Sequence, residues 1–184
     1  MTNVEPTGQD PCNGYRNTLG LGAERGGTLR ERPPLSLALF VIDTQRYALD
    51  LAAVERVLPL VAVTPLPHAP AIALGLINIH GEIIPVVDIR RRFGFPPRGV
   101  GLTGHLLIAR TARRAVALQV DEVLGTLEFE ADAVRPAADV LPGIGHVAGI
   151  VALADGLLFI HDLDTFLSLE EDDQLTAAIE EARR

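Results

Sequence analysis

Lysine is absent: all sixteen basic residues are arginine. That excludes a Schiff-base lysine and a phosphate-loop lysine. Cysteine occurs once, at Cys12. A single cysteine makes neither an internal disulfide nor a cysteine-rich zinc site. Serine occurs only at Ser36 and Ser168, a strand start and a helix cap, so no serine stands ready as a nucleophile. Tryptophan is missing and aromatics total 4%, which leaves few rings to stack on bases. No apolar run reaches the length of a transmembrane helix, and the N-terminus lacks the charged-then-apolar plan of a signal peptide. The expectation is a cytoplasmic chain. Net charge is −8, and the only basic run, Arg90-Arg91-Arg92, reads as a solvated helix start or loop rather than a nucleic-acid stripe. The five histidines are scattered, with no i,i+4 pair on a helix and no cysteine nearby, so no metal and no cofactor are expected.

What is present is aliphatic. Apolar residues make up 48% of 184 residues, enough for one domain or two small fused barrels. Residues 1–34 show no apolar periodicity and read as a disordered tail. Order begins at Leu35. Strands are expected over 35–43, 47–51 and 55–63, with a turn at Thr44-Gln45-Arg46. TPLPHAP (64–70) is a loop. The hairpin GLINIHGEIIPVVDI (75–89) follows, then a Pro/Gly-rich loop over 95–104. Further strands are expected at 105–109, 115–120, 122–129, 147–154 and 157–160, with a loop and one helical turn over 130–145. A short helix over 162–167 and a capping box, Ser168-x-x-Glu171, precede a last helix whose Leu175, Ala178, Ile179 and Ala182 share one face.

The chain repeats itself. GLINIHGEIIPVVDIRRRF (75–93) aligns without a gap on GIVALADGLLFIHDLDTFL (149–167). Gly75 meets Gly149, and Asp88 meets Asp162. Five short strands per half avoid exposed edges only by curling closed. The fold class expected is all-β: two five-stranded barrels in tandem, with short helices and a C-terminal helix over 170–184. Gly75 lets the backbone pass close to a neighbour. Gly81 supplies the turn conformation. Pro85 marks where strand pairing stops or a partner surface begins. Asp88 and Asp162 are placed to cap the helices that follow, which makes capping the expected role and a His161-Asp162 catalytic dyad unattractive.

The stretches FVIDxxxYALDLxxV (40–54), TPLPHAP (64–70), GLINIHGEIIPVVDIRRRFG (75–94) and DEVL (121–124) resemble the CheW family of chemotaxis coupling proteins over residues 35–169. The resemblance implies two barrels like SH3 domains and no catalysis. It implies an adaptor that couples the cytoplasmic tips of chemoreceptors to the regulatory domain of a CheA-type histidine kinase, and that pairs with other CheW-like domains in arrays under the membrane. By resemblance, Val54, Arg56, Gly75, Asn78, His80 and Gly81 fall at positions of partner contact. The family usually carries Arg at the place of His80 and often Glu at that of Arg56, so a possible ion pair becomes arginine plus imidazole here. The same scaffold serving a type IV pilus or other non-flagellar pathway is the alternative output. Readings from other classes are a small-ligand- or nucleic-acid-binding barrel, and a hydrolase using Asp121-Glu122. The acidic balance and the few aromatics disfavour nucleic acid, and nothing supplies a partner for Asp121-Glu122.

Overall fold

The computed structural model describes residues 33–96, 104–140 and 145–182. The expected tail lies outside them except for Pro33 and Pro34, as does most of the loop after Phe95. Eleven strands form two sheets among the described residues. They are β1 (Leu35–Ile42), β2 (Gln45–Asp50), β3 (Val54–Pro59), β4 (Ala73–Ile79), β5 (Glu82–Val87), β6 (His105–Arg110), β7 (Ala115–Val120), β8 (Glu122–Phe129), β9 (Arg135–Pro136), β10 (Val147–Leu153) and β11 (Gly156–His161). The α-helices are α1 (Ile89–Arg92), α2 (Ala137–Val140) and α3 (Leu169–Ala182). No described helix is long and apolar enough to cross a membrane.

One sheet runs β3-β6-β7-β5-β4 and comes from the middle of the chain; we call it the central barrel. The other runs β8-β1-β2-β11-β10-β9 and joins the two ends of the ordered chain, the terminal barrel. The terminal sheet thus has a sixth strand, the two-residue β9. The halves of the repeat are interleaved rather than consecutive. Hairpin β1–β2 leads the first half yet completes the barrel of the second, with β2 pairing parallel to β11. Hairpin β6–β7 leads the second half and completes the barrel of the first, with β7 pairing parallel to β5. The two leading hairpins are alike in length and pattern, so periodicity does not reveal which barrel each completes.

The exchange explains the burial. Leu37 and Leu39 of β1 enter the terminal barrel's core, while Phe40 and Ile42 enter a second cluster. Leu106 and Ile108 of β6 fill the central barrel, while Leu107 and Ala109 join that same second cluster. The shared cluster is the seam between the barrels. Strands buried on both faces read as continuous apolar runs, as LALFVI and HLLIA do. β3, which touches the seam only through Val54, keeps exposed Glu55, Arg56 and Val57.

Each barrel closes over a glycine. The segment after β3 returns to β4, where the N–H and carbonyl of Thr64 each bond Leu76 at 2.8 Å. A Cβ on Gly75 would stand 2.1 Å from the Thr64 carbonyl oxygen, and φ there is +149°. In the terminal barrel the segment after β8 returns as β9 to pair with β10, and a Cβ on Gly149 would stand 2.6 Å from Val134 Cγ1. Each glycine is the first paired residue after a register shift in its strand, between Ala73 and Gly75 and between Val147 and Gly149. Asp88 caps α1 by accepting from Arg90 N–H at 3.0 Å. Asp162 accepts from Asp164 N–H at 3.0 Å, capping the short 3-10 helix Leu163–Thr165.

The arginine triplet lies in α1, as a helix start, but it is not solvated throughout: Arg91 is exposed, Arg92 half-buried and Arg90 buried. Arg90 is buried in the seam, where it pairs with Asp43 at 2.8 Å and Asp121 at 3.3 Å and lies over the Phe95 ring. Asp43 sits in the two-residue β1–β2 turn with φ +56°, so that turn comes at Asp43-Thr44, earlier than expected. Arg91 pairs with Asp88, and Arg92 pairs with Glu171 of α3. The capping box forms reciprocally: Ser168 N–H donates to Glu171 Oε2 at 2.8 Å, and Glu171 N–H donates to Ser168 Oγ at 3.2 Å. Burial pushes the Glu171 carboxyl up, but the Ser168 N–H and the Arg92 guanidinium outweigh it and hold it below its ordinary value.

Of the described aromatics, all but Phe129 gather at the seam. Phe93, just after α1, stacks on Tyr47 of β2 at 4.7 Å between centroids and packs against His161 at 4.6 Å. His146 and His161 stack nearly parallel, and His161 Nδ1 lies 2.8 Å from the His146 carbonyl oxygen. Histidines that are scattered in sequence thus meet here. Burial lowers the His161 pKa from 6.5 to about 4 and pushes the Tyr47 phenol up to about 12. His146 is lowered too, by burial and then by the charge of Arg92.

Candidate interaction surface

The β4–β5 hairpin ends in a two-residue turn, His80-Gly81, closed by the pair Ile79 and Glu82. Both turn residues have positive φ, +52° at His80 and +92° at Gly81. This is the backbone that matches strand twist in a tight hairpin, and it is easiest for glycine. Asn78 stiffens it: its Oδ1 accepts from Gly81 N–H at 2.8 Å. Asn78, His80 and Gly81 are all exposed, so three of the six candidate contact residues make one braced loop tip. The equivalent tip of the terminal barrel, Ala154-Asp155, has no side chain in the place of Asn78 that can accept; that residue is Ala152.

The other three candidates divide. Gly75 is buried and serves the barrel closure just described, so it shapes the surface from beneath. Val54 is half-buried at the head of β3, packs on the seam cluster and donates its N–H to the Leu51 carbonyl. Arg56 is exposed on β3, opposite Ile108, after a register shift between Val54 and Arg56. No ion pair or hydrogen bond joins Arg56 to His80 among the described residues. Most arginines described are neutralised within the chain, among them Arg46 by Asp155 and Arg110 by Glu55 and Glu82. Arg56 makes no such pair among the described residues and stands as a free cation.

Apolar groups accompany it. Val57 and Val61 on and after β3, and Ile83 on β5, are exposed at 40%, 45% and 37%. Pro85 is buried in β5 opposite Leu76, and the pairing of β5 with β7 begins only at Val86. The proline therefore sits where β5 has no β7 partner. No cluster of three or more His, Cys, Asp or Glu suited to a metal occurs among the described residues. Asp121, one of the two carboxylates considered for hydrolysis, is engaged with Arg90 and with Asp43 N–H at 2.6 Å. What the surface offers is a rigid turn, an unpaired cation and exposed aliphatics, the makings of a contact with another macromolecule.

Signals that sequence reasoning missed were the exposed Val57 and Val61, on and after β3, and the braced role of Asn78. The N-x-x-G spacing of Asn78 and Gly81 is the one trace of the latter in the sequence.

Comparison with known proteins follows the same outline. Residues 36–171 match the family model described as CheW-like domain. The chemotaxis protein CheW of Rhizobium meliloti is 28% identical over 137 residues, spanning 73% of this chain and 88% of that one. Protein FrzA of Myxococcus xanthus is 26% identical over 122 residues, spanning 66% of this chain and 72% of that one. The crystal structure of the scaffolding protein TtCheW from Thermoanaerobacter tengcongensis superposes with a TM-score of 0.69 at 27% identity, covering 76% of this chain and 96% of that one.

Proposed function

The chain belongs to the CheW-like domain family and is a chemotaxis coupling scaffold without catalysis of its own; from that premise we propose that its central barrel carries the receptor-facing surface. The hairpin tip Asn78, His80 and Gly81, with Arg56 on β3, meets the cytoplasmic tip of a chemoreceptor. Val54 and Gly75 hold the surface in shape from below. The free edges and exposed aliphatics of the two barrels take the regulatory domain of a CheA-type histidine kinase and other CheW-like domains. The protein works in the cytoplasm and is recruited to membrane-associated receptor arrays.

The observation that carries this is the braced turn: Asn78 spends its side chain on fixing Gly81, which preorganises an exposed tip at little entropic cost on binding. The free Arg56 supplies a charge for orientation and encounter. Its partner is then an acidic position on the receptor.

The test is calorimetric titration of the full chain against a receptor cytoplasmic fragment and against the kinase regulatory domain from its own organism. Arg56→Glu is expected to weaken the receptor complex about tenfold, with kinase binding unchanged. Unchanged receptor affinity removes Arg56 from the surface. A scaffold serving a pilus-based or other non-flagellar pathway is a second reading, favoured by the similarity to FrzA beside the chemotaxis proteins. Titration against each kinase of the organism separates the outputs.

A further inference from the structure

We propose that α3 is a detachable strap on the central barrel, held by charge more than by apolar burial, and that its release uncovers the β5 flank of the hairpin. The apolar seat of α3 is thin. Leu175 and Ala178 are buried, Ile179 is half-buried, and Leu169 is 77% exposed. A helix of fourteen residues is marginal alone in water, so docking decides whether it persists.

Docking runs through arginines of the central barrel. Arg113 Nη1 lies 2.5 Å from Asp172 Oδ2, and Arg113 Nη2 lies 3.0 Å from Asp173 Oδ1. Arg114 Nε lies 2.8 Å from Asp172 Oδ1, and Arg114 Nη2 donates to Thr176 Oγ1. Arg92 adds its pair with Glu171. Asp172 is the centre of this clasp, because its side chain is only 6% exposed and is neutralised by two guanidinium groups. Removing its charge leaves Arg114, itself 20% exposed, without a counter-ion under the helix.

The strap borders the hairpin. A groove of ≈ 440 Å³ separates them, with Gly81, Ile83 and Pro85 on one wall and Thr176 and Ile179 on the other. It opens where β5 has no β7 partner, before Val86. Gly81 belongs to the tip assigned above to the receptor. Any effect of the strap on partner binding rests on that reading, whereas the strap and what it covers do not.

Hydrogen exchange read by mass spectrometry on the full chain tests the proposal, with Asp172→Asn and the milder Arg113→Gln as variants. The expected result is exchange of the Leu169–Ala182 amides about tenfold faster in Asp172→Asn and less so in Arg113→Gln, with β6 as protected as in the unaltered protein. In a Cys12→Ser background, a thiol placed by Pro85→Cys, at a buried position of the groove wall, is expected to label several-fold faster once Asp172→Asn is added. Loss of protection in α3 and β6 together would make the helix part of the cooperative core and overturn the strap. Unchanged α3 exchange in both variants would show that charge does not hold it. Release without faster labelling would overturn the uncovering of β5. None of these readouts involves a partner, so a failure of the receptor assignment shows separately in the Arg56→Glu titration.

Discussion

The two barrels share a plan and differ in how firmly each equivalent position is used. Both close over a glycine, but Gly75 lies under a backbone carbonyl with positive φ, whereas the nearest atom to Gly149 is a valine methyl. Both follow β5 or β11 with an aspartate cap, and in both the residue two beyond the cap reaches the turn of an exchanged hairpin. In the central barrel that residue is Arg90, buried against Asp43 and Asp121. In the terminal barrel it is Asp164, exposed, accepting from Ala112 N–H at 2.7 Å. Where Val87 ends β5, His161 ends β11. The lesson is that a repeat preserves geometry while its chemistry drifts. The central barrel, which carries the candidate surface, has the stricter closure and the buried lock.

The sharpest way to break this comparison is a matched pair of glycine substitutions. Gly75→Ala sets a methyl against a carbonyl that cannot rotate away and forces a strained φ. It is expected to cost roughly 4 kcal/mol in urea unfolding. Gly149→Ala meets a side chain that can shift, and is expected to cost roughly 1–2 kcal/mol. Equal costs would mean that the two closures are not different in kind.

Acid should act on the terminal side of the seam. His161 is buried neutral, with its pKa lowered from 6.5 to about 4 by burial. Above pH 6.5 both folded and unfolded chains are neutral there and nothing is lost. As pH falls below 6.5 the unfolded chain takes a proton that the folded chain refuses, so stability declines until about pH 4, where the folded form protonates too. The loss over that window is roughly 3 kcal/mol. His161→Val, which copies the central barrel's Val87, should flatten this part of the profile measured by urea midpoints from pH 7 to pH 4. A profile unchanged by the substitution would place the acid sensitivity elsewhere.

The polar clasps come next. Arg90→Met leaves Asp43 and Asp121 facing each other, each about a third exposed, and should cost about 2 kcal/mol after solvent screening of the carboxylates. Asp164→Ala loses one exposed hydrogen bond, worth about 1 kcal/mol or less. Smallest is Asn78→Ala, which frees the hairpin tip at a cost of about 0.5 kcal/mol in thermal unfolding but should weaken receptor binding more than it weakens the fold. If affinity for the receptor fragment holds while the turn loosens, the braced tip is not part of the contact.

The hairpins, the aspartate caps and the Ser168–Glu171 box lie within a few residues of their partners, and were legible as turn and cap residues at fixed offsets. The repeat exposed both closure glycines, though not what each passes over. Of the candidate surface, the tip residues could be read as a turn, and their number in the family pattern led to Arg56 and Val54. Gly75 was legible as a close approach of the backbone, but not the Thr64 carbonyl that it passes under, because the return of the 64–70 loop onto β4 leaves no mark in the sequence. Arg90 was misread for a related reason. An arginine beside two others looks solvated until Asp43 and Asp121, which lie far off in the chain, are brought to it.

By itself, then, the sequence determined what depends on neighbours along the chain: strand faces, tight turns, caps and the doubling of one unit. Only the tertiary structure decided which barrel each leading hairpin completes, which arginine is buried, which histidines stack and where α3 lies. Periodicity reports that a strand has a face to bury and not what will cover it, and covering segments separated by half the chain are chosen by packing between whole units.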